Sequence, residues 1–315
     1  VTQAARDASA AALGGGDAFV QHADEMEWIT TEDWAQRAAE GTDAHRVAAD
    51  DFGWLERYGD WVLWSGQSSH QAEFLRVELL QRFGFSPRGI LARELTRKAI
   101  EQKPASVVEG ETPGQFEVSE WGVRYLVEPA GGYASGLFLD QRSNRGWVLG
   151  LRVRYALNLF AYTCSFSVCA ARGGTQTWNV DASRRSLARG AENLRLNGIN
   201  PGAGHRFIEE DVATYVGRMH RRGHTFDLII LDPPTFGRAA GHTFQLEHDL
   251  PGLLPACFGL LRAGGWMLVS TNLITWSEAK LRKIVTDALP INGFVWEPAG
   301  EMVPHGAVSL RLRKR

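Results

Sequence analysis

A chain of 315 residues, 44% hydrophobic and 22% charged, holds enough material for one large catalytic domain and one or two smaller ones. No apolar run approaches the roughly 18 residues of a membrane span, and Val1-Thr-Gln-Ala-Ala-Arg-Asp7 has no basic-then-apolar export pattern, so a cytoplasmic protein without membrane attachment is expected. Cys164, Cys169 and Cys257 have neither CxxC nor Cys/His spacing, which argues for a reducing compartment and against bound metal. The net charge of −2 conceals an asymmetry: residues 1–60 carry 13 Asp/Glu against 4 Lys/Arg, leaving the rest mildly basic and compatible with a polyanionic partner or with an ordinary mixed-charge surface.

Residues 1–16, Ala-rich and ending in Gly14-Gly-Gly16, read as poorly ordered, and the acidic stretch to residue 50 matches no module; 1–50 is therefore assigned to an N-terminal extension. "WLERYGDWVLWSG" from Trp54 alternates aromatic and polar residues about a Tyr-Gly-Asp turn and predicts a hairpin. "QAEFLRVELLQRFGF" predicts a helix with Phe74, Val77, Leu80, Leu79 and Phe83 on its apolar side, stopped by Gly84. A second strand pair is predicted over Gln115–Pro129, turning at Glu120-Trp-Gly122, and 51–128 is read as a small α/β substrate-binding domain. From 129 to 315 buried strands at 155–163, 175–183, 205–212, 226–234 and 264–272 alternate with helices at 183–197, 212–223 and 246–265. That alternation predicts a doubly wound parallel sheet.

In such a fold the loop after the first strand and the acid ending the second define a nucleotide site. The first loop, Phe160 to Phe166, is neither GxGxxG nor GxxxxGK[ST], so a pyrophosphate ligand is disfavoured. Asp181, Asp211 and Asp232 end successive strands: Asp181 is suited to ribose hydroxyls, and Asp211 to an adenine amino group with Val212 on the ring. Singly, each acid is as well explained as a helix N-cap. Together they form the pattern of a site for S-adenosylmethionine, which has a ribose, an adenine and a sulfonium but no phosphate.

The segments "FLDQRSNR", "LNLFAYT" and "DPPTF", with "RYGDWVLWSG" and "GFSPRGILARE", resemble the class I methyltransferases of bacterial large-subunit ribosomal RNA, the RlmI-like and RlmK-like group of cytosine-C5 and guanine-N7 enzymes. The resemblance runs from about Trp54 to the C-terminus. It implies a Rossmann-like class I methyltransferase domain preceded by a small α/β domain, S-adenosylmethionine as cofactor and RNA as partner. It also implies cofactor contacts from Phe138, Asp140, Gln141, Arg142, Phe160, Tyr162, Thr163, Ser165, Asp181, Ala182, Asp211, Val212 and Asp232. For Arg142 a plain ion pair with a neighbouring acid is the competing expectation. Cys164 stands where many relatives have glycine, so a left-handed backbone there is strained. Ala134-Ser135 replace the usual Lys-Thr and remove a cation.

Cytosine C5 needs a thiolate to add at C6. The cysteine of the cytosine enzymes falls where this chain has Ser270-Thr-Asn272, so C5 is not expected as the target. A ring or exocyclic nitrogen, guanine favoured, requires chiefly orientation. Asp232-Pro233-Pro234 offers acceptors to a base without competing N–H donors, Phe236 offers a stacking face, and Asn272 offers a purine-edge contact; these five are the expected catalytic residues. The competing readings are a methyltransferase for protein or small molecules and a silent binder of cofactor or RNA. Oligomeric state is left open.

Overall fold

The computed structural model describes residues 26–66, 72–95, 104–132, 134–239, 242–273, 275–298, 300 and 303–315. Its first sheet comprises β1 (Glu27–Trp28), β2 (Ala44–Asp50), β3 (Gly53–Tyr58), β4 (Trp61–Gly66), β5 (Gly89–Glu94) and β6 (Ser106–Gly110), neighbours in that order. Every pairing is antiparallel except β4 with β5, which are joined by the crossover helix α2 (Ala72–Phe83). Helix α1 (Thr31–Ala39) starts at a capping box in which Thr30 and Asp33 satisfy each other's main-chain N–H.

This sheet corrects the assignment of residues 26–50 to an extension. Strand β2 lies between β1 and β3, and all seven of its residues are buried. Ala44-His-Arg-Val-Ala-Ala-Asp50 has one β-branched residue and two charges that can pair only in three dimensions, so its local pattern does not announce a strand. Arg46, for instance, meets Glu56 of β3 at 3.2 Å out of solvent. Poor ordering of residues 1–16 concerns positions outside the described residues. Helix α2 appears where expected, but its buried side is Leu75 and Leu79, whereas Val77 and Leu80 are exposed. Apolar residues surround so much of that helix that spacing alone does not select a face.

The predicted second hairpin is β7 (Phe116–Glu120) and β8 (Val123–Val127), turning through Trp121 and Gly122, both left-handed as a two-residue hairpin turn requires. Its Val118, Val123, Tyr125 and Val127 share a core with Val168, Leu228 and Ile230. The same core holds Tyr58, Leu63 and Leu91 of the first sheet, and the Phe116 ring meets that of Trp61 at 4.6 Å, so the hairpin packs against both sheets.

The remaining chain runs through a 3-10 turn (Leu139–Gln141), α3 (Arg142–Gly150), β9 (Tyr155–Leu159), α4 (Ser165–Arg172), β10 (Gln176–Asp181), α5 (Arg184–Leu196), β11 (Arg206–Glu209), α6 (Val212–Arg221) and β12 (Phe226–Leu231). A small hairpin follows, β13 (Phe236–Ala239) and β14 (His242–Gln245), and then α7 (Leu246–Leu260), β15 (Leu261–Thr271), α8 (Glu278–Ala288), β16 (Phe294–Glu297) and β17 (Val308–Lys314). The strand order is β11-β10-β9-β12-β15-β17-β16, with only β17 antiparallel to its neighbours. The doubly wound α/β expectation is met. Because the chain winds outward from β9 to β11 and returns to β12 on the other side, loops diverge at the carboxyl ends of β9 and β12 and open a crevice there. No helix among the described residues is long and apolar enough to cross a membrane.

Candidate cofactor and acceptor site

A cavity of about 400 Å³ occupies that crevice, within the size range of small-molecule sites. The loop leaving β9 is bent sharply: Phe160, Tyr162 and Cys164 all have positive φ, at 56°, 47° and 59°. Such backbone strain in non-glycine residues persists only where surroundings enforce it. One enforcing group is Asp181 at the end of β10, whose Oδ2 accepts from Tyr162 N at 2.8 Å and whose Oδ1 accepts from Ser183 N at 2.8 Å. Each oxygen keeps a further lone pair for a ribose hydroxyl. Burial raises the Asp181 pKa despite those two main-chain bonds.

The capping alternative divides between the acids. Ser183, not Asp181, caps α5 by accepting from Ser186 N, whereas Asp211 does cap α6, with Oδ1 accepting from Thr214 N at 2.8 Å. Asp211 still lines the cavity beside Glu210, Ala182 and Val212.

Asp232 emerges from β12 at the cavity floor. Its Oδ1 accepts from Gln141 Nε2 at 3.1 Å and from the Ser270 hydroxyl, and Gln141 also donates to Ser270 Oγ at 2.8 Å. Gln141 is fixed in turn by Asn144, which donates to its Oε1 at 2.7 Å. Burial pushes the Asp232 carboxyl up to about 6; neighbouring Asp140 adds to the shift, and Ser270 and Arg145 oppose it. Pro233, Pro234 and Asn272 complete this side, and Asn272 Oδ1 accepts from Thr235 Oγ1 at 3.2 Å.

Of the sequence-predicted residues, Phe138, Asp140, Gln141, Phe160, Tyr162, Ser165, Asp181, Ala182, Asp211, Val212, Asp232, Pro233, Pro234 and Asn272 meet around this cavity. Two do not join it. Arg142 points to Glu40 at 2.8 Å and lies over the Trp121 ring at 4.1 Å, so the ion-pair expectation describes it. Thr163 is buried, its hydroxyl donating to Gly136 O at 2.7 Å. Phe236 begins β13, and its side chain is outside the described residues.

Arg145, three residues after Arg142, lines the cavity instead. It is bound in two-pronged fashion to buried Glu120 at 2.7 Å for both contacts and donates to Phe138 O at 2.8 Å. Sequence spacing shows both arginines in one motif; only the three-dimensional position of Glu120 separates them. Phe166 and Phe244 also line the cavity, and no local pattern in the sequence marks them for it. Next to Ala134, Ser135 Oγ accepts from Arg93 Nη2 of β5 at 2.9 Å.

The strained Cys164 is accommodated rather than reactive. A Cβ at Gly190 would meet its Sγ at 2.3 Å, so glycine in α5 makes room for the thiol. All three cysteines are buried. Burial raises each thiol pKa, that of Cys169 to about 11.

The donor set fits S-adenosylmethionine. Asp140, Asp181, Asp211, Asp232 and Glu210 face one cavity, an arrangement that repels phosphate and suits hydroxyl, amino and sulfonium groups. Among the described residues no cluster of His, Cys, Asp and Glu suited to a metal ion is present.

Residues 93–288 match the model of the S-adenosylmethionine-dependent methyltransferase family. Over 183 residues, 56% of this chain, the sequence is 36% identical to Bacillus subtilis YwbD, provisionally named a ribosomal RNA large subunit methyltransferase. Over 185 residues, 58% of this chain, it is 33% identical to ribosomal RNA large subunit methyltransferase I of Aeromonas salmonicida. These matches span 45% and 46% of the two relatives, so the chain matches a little under half of their length. In three dimensions it is similar to SMU.776, provisionally named a methyltransferase and solved with SAH (S-adenosylhomocysteine): the TM-score is 0.75 and the identity 25%, over 90% of this chain and 79% of that one. With the winding order, the phosphate-repelling cavity and the family match in agreement, the chain belongs to the S-adenosylmethionine-dependent methyltransferases.

Proposed function

We propose that the protein transfers a methyl group to a nucleobase nitrogen of ribosomal RNA, guanine favoured. The names of its curated relatives support ribosomal RNA as the substrate class. The observation that carries the nitrogen is the state of the thiols: all three are buried and protonated, and none lines the cavity. A cytosine-C5 reaction depends on a thiolate at the base. At the end of β15, where the resemblance to the cytosine enzymes places that cysteine, stands Ser270, whose hydroxyl donates to Asp232.

When bound, S-adenosylmethionine supplies an electrophilic methyl on a sulfonium. The chain's part is to hold the cofactor by Asp181 and Asp211, and to orient a base so that its nitrogen lone pair faces the methyl. Pro233 and Pro234 have no N–H, so around them the base meets acceptors: the Asp232 carboxylate, the proline carbonyls and Asn272 Oδ1. The Watson–Crick edge of guanine, with its N1–H and N2–H donors, matches that set and leaves the N7 lone pair on the opposite edge of the base. Phe236 is proposed as the stacking partner.

The test is transfer of a labelled methyl group to unmodified large-subunit ribosomal RNA, with protein and small-molecule extracts in parallel and Asp232→Ala as control. Label in RNA, absent with the variant and recovered as a methylated guanine on digestion, is the expected result. Recovery of 5-methylcytosine overturns the nitrogen assignment, and label confined to another extract overturns RNA.

A further inference from the structure

A second cavity, of about 410 Å³, opens at the other end of the large sheet, where β9, β10, β11 and β12 begin. Strand β10 connects the two: Gln176 and Trp178 line the second cavity and Asp181 lines the first, roughly 17 Å along the strand from Gln176.

The chemistry of this cavity is cationic and aromatic. The parallel register sets Arg206 opposite Trp178, and the Arg206 guanidinium lies 4.0 Å from the centre of the Trp178 ring. The indole is buried and packed edgewise by Phe226 and His224, whereas Arg206 is exposed. Beside it, the Tyr155 ring carries Arg154 at 5.0 Å and Arg262 at 5.4 Å. Arg262 pairs with Asp227 at 2.8 Å; Arg154 and Arg206 form no ion pair among the described residues. Asp227 is otherwise committed, accepting from the main-chain N–H groups of Arg154 and Tyr155.

A guanidinium placed over an indole can present its outer face as a stacking surface for a base, and its edge donors suit a phosphate. Arg206 and Arg262 line the cavity with no carboxylate among its described lining residues, and Arg154 lies beside it on the Tyr155 ring, a set that favours an anionic ligand, in contrast to the acid-lined cofactor cavity. We infer that this cavity binds a nucleotide unit, its base on Arg206 and its phosphate between Arg154 and Arg262. It uses none of the residues assigned to the methyl-transfer reaction and goes beyond that reading. The unit has two sources, a single-stranded segment of RNA or a free mononucleotide.

The test measures binding of a short single-stranded oligoribonucleotide and of AMP and GMP to the full chain, with saturating S-adenosylhomocysteine occupying the cofactor cavity. Arg206→Glu is expected to weaken binding about tenfold or more. It is also expected to lower the slope of log affinity against log salt by about 0.7 for each phosphate no longer neutralised, while leaving affinity for S-adenosylhomocysteine unchanged. A much tighter oligoribonucleotide identifies RNA as the source, and equal mononucleotide binding identifies the free nucleotide. Wild-type binding by the combined variant Arg154→Ala with Arg206→Glu, or nucleotide binding abolished by S-adenosylhomocysteine, overturns the site. Absence of methyl transfer to ribosomal RNA would overturn the proposed reaction and leave this result standing.

Discussion

Cys164 and Gly190 are fitted to each other: the thiol of a left-handed loop residue fills the space a side chain on α5 would need, 2.3 Å from the nearest Cβ position. Helix propensity alone makes Gly190→Ala stabilising by about 1 kcal/mol. The contact reverses that sign, and the variant is expected to lose about 1–3 kcal/mol by overpacking. Cys164→Gly removes both the thiol and the positive-φ strain, so Gly190→Ala made in that background should cost much less. Urea denaturation of the four proteins checks this; additive effects would show that the contact does not decide the cost.

Asp232 couples the cavity to pH. Its carboxyl, at about 6 in the folded chain, stands above its ordinary value of 3.8. The unfolded chain therefore releases this proton first, and the contribution to stability is full below about pH 4 and declines as pH rises through 6. Asp232→Asn is expected to stabilise the fold at pH 7.5 by up to about 3 kcal/mol, read as a raised melting temperature, with the difference vanishing near pH 4. The same variant should lose most methyl transfer, and wild-type kcat/KM should fall as pH drops below about 6. A melting temperature lowered equally at both pH values would contradict the shift.

Arg142 and Arg145 separate a partly exposed from a buried ion pair. Arg142→Ala, which removes a partly exposed pairing with Glu40, should cost no more than about 1 kcal/mol and leave S-adenosylhomocysteine affinity unchanged. Arg145→Ala strands Glu120, whose side chain is 0% exposed, and should cost about 3–5 kcal/mol. Chemical denaturation and titration calorimetry distinguish them. A large drop in affinity in Arg142→Ala would return that residue to the cofactor site.

The buried thiols predict chemical silence. Native protein should react with a thiol reagent only on unfolding, because Cys164, Cys169 and Cys257 are enclosed and protonated. Changing each in turn to alanine should preserve methyl transfer. Loss of activity in one such variant, at unchanged stability, would point to a nucleophilic cysteine and away from a nitrogen target.

The doubly wound sheet is legible in the sequence because buried parallel strands are long apolar runs between helical patterns. "FDLIILDPP" carries both the strand and the acid that ends it. The cofactor acids are legible for the same reason: a residue at a strand's carboxyl end is carried to the crevice by topology, whatever surrounds it. Less regular elements are not. Strand β2 is made of small and charged residues whose suitability for burial depends on Glu56 and neighbouring strands, and the buried face of α2 is selected by the sheet beneath it.

Local pattern thus determined the winding of the large domain and the positions of Asp181, Asp211 and Asp232. Tertiary structure alone decided that Arg145 rather than Arg142 faces the cavity, that Gly190 makes room for Cys164, and that Arg206 lies on Trp178. The physical reason is range. Hydrophobic period and strand termini are set by adjacent residues, whereas an ion pair, a void or a stacked cation exists only when segments distant in the chain meet.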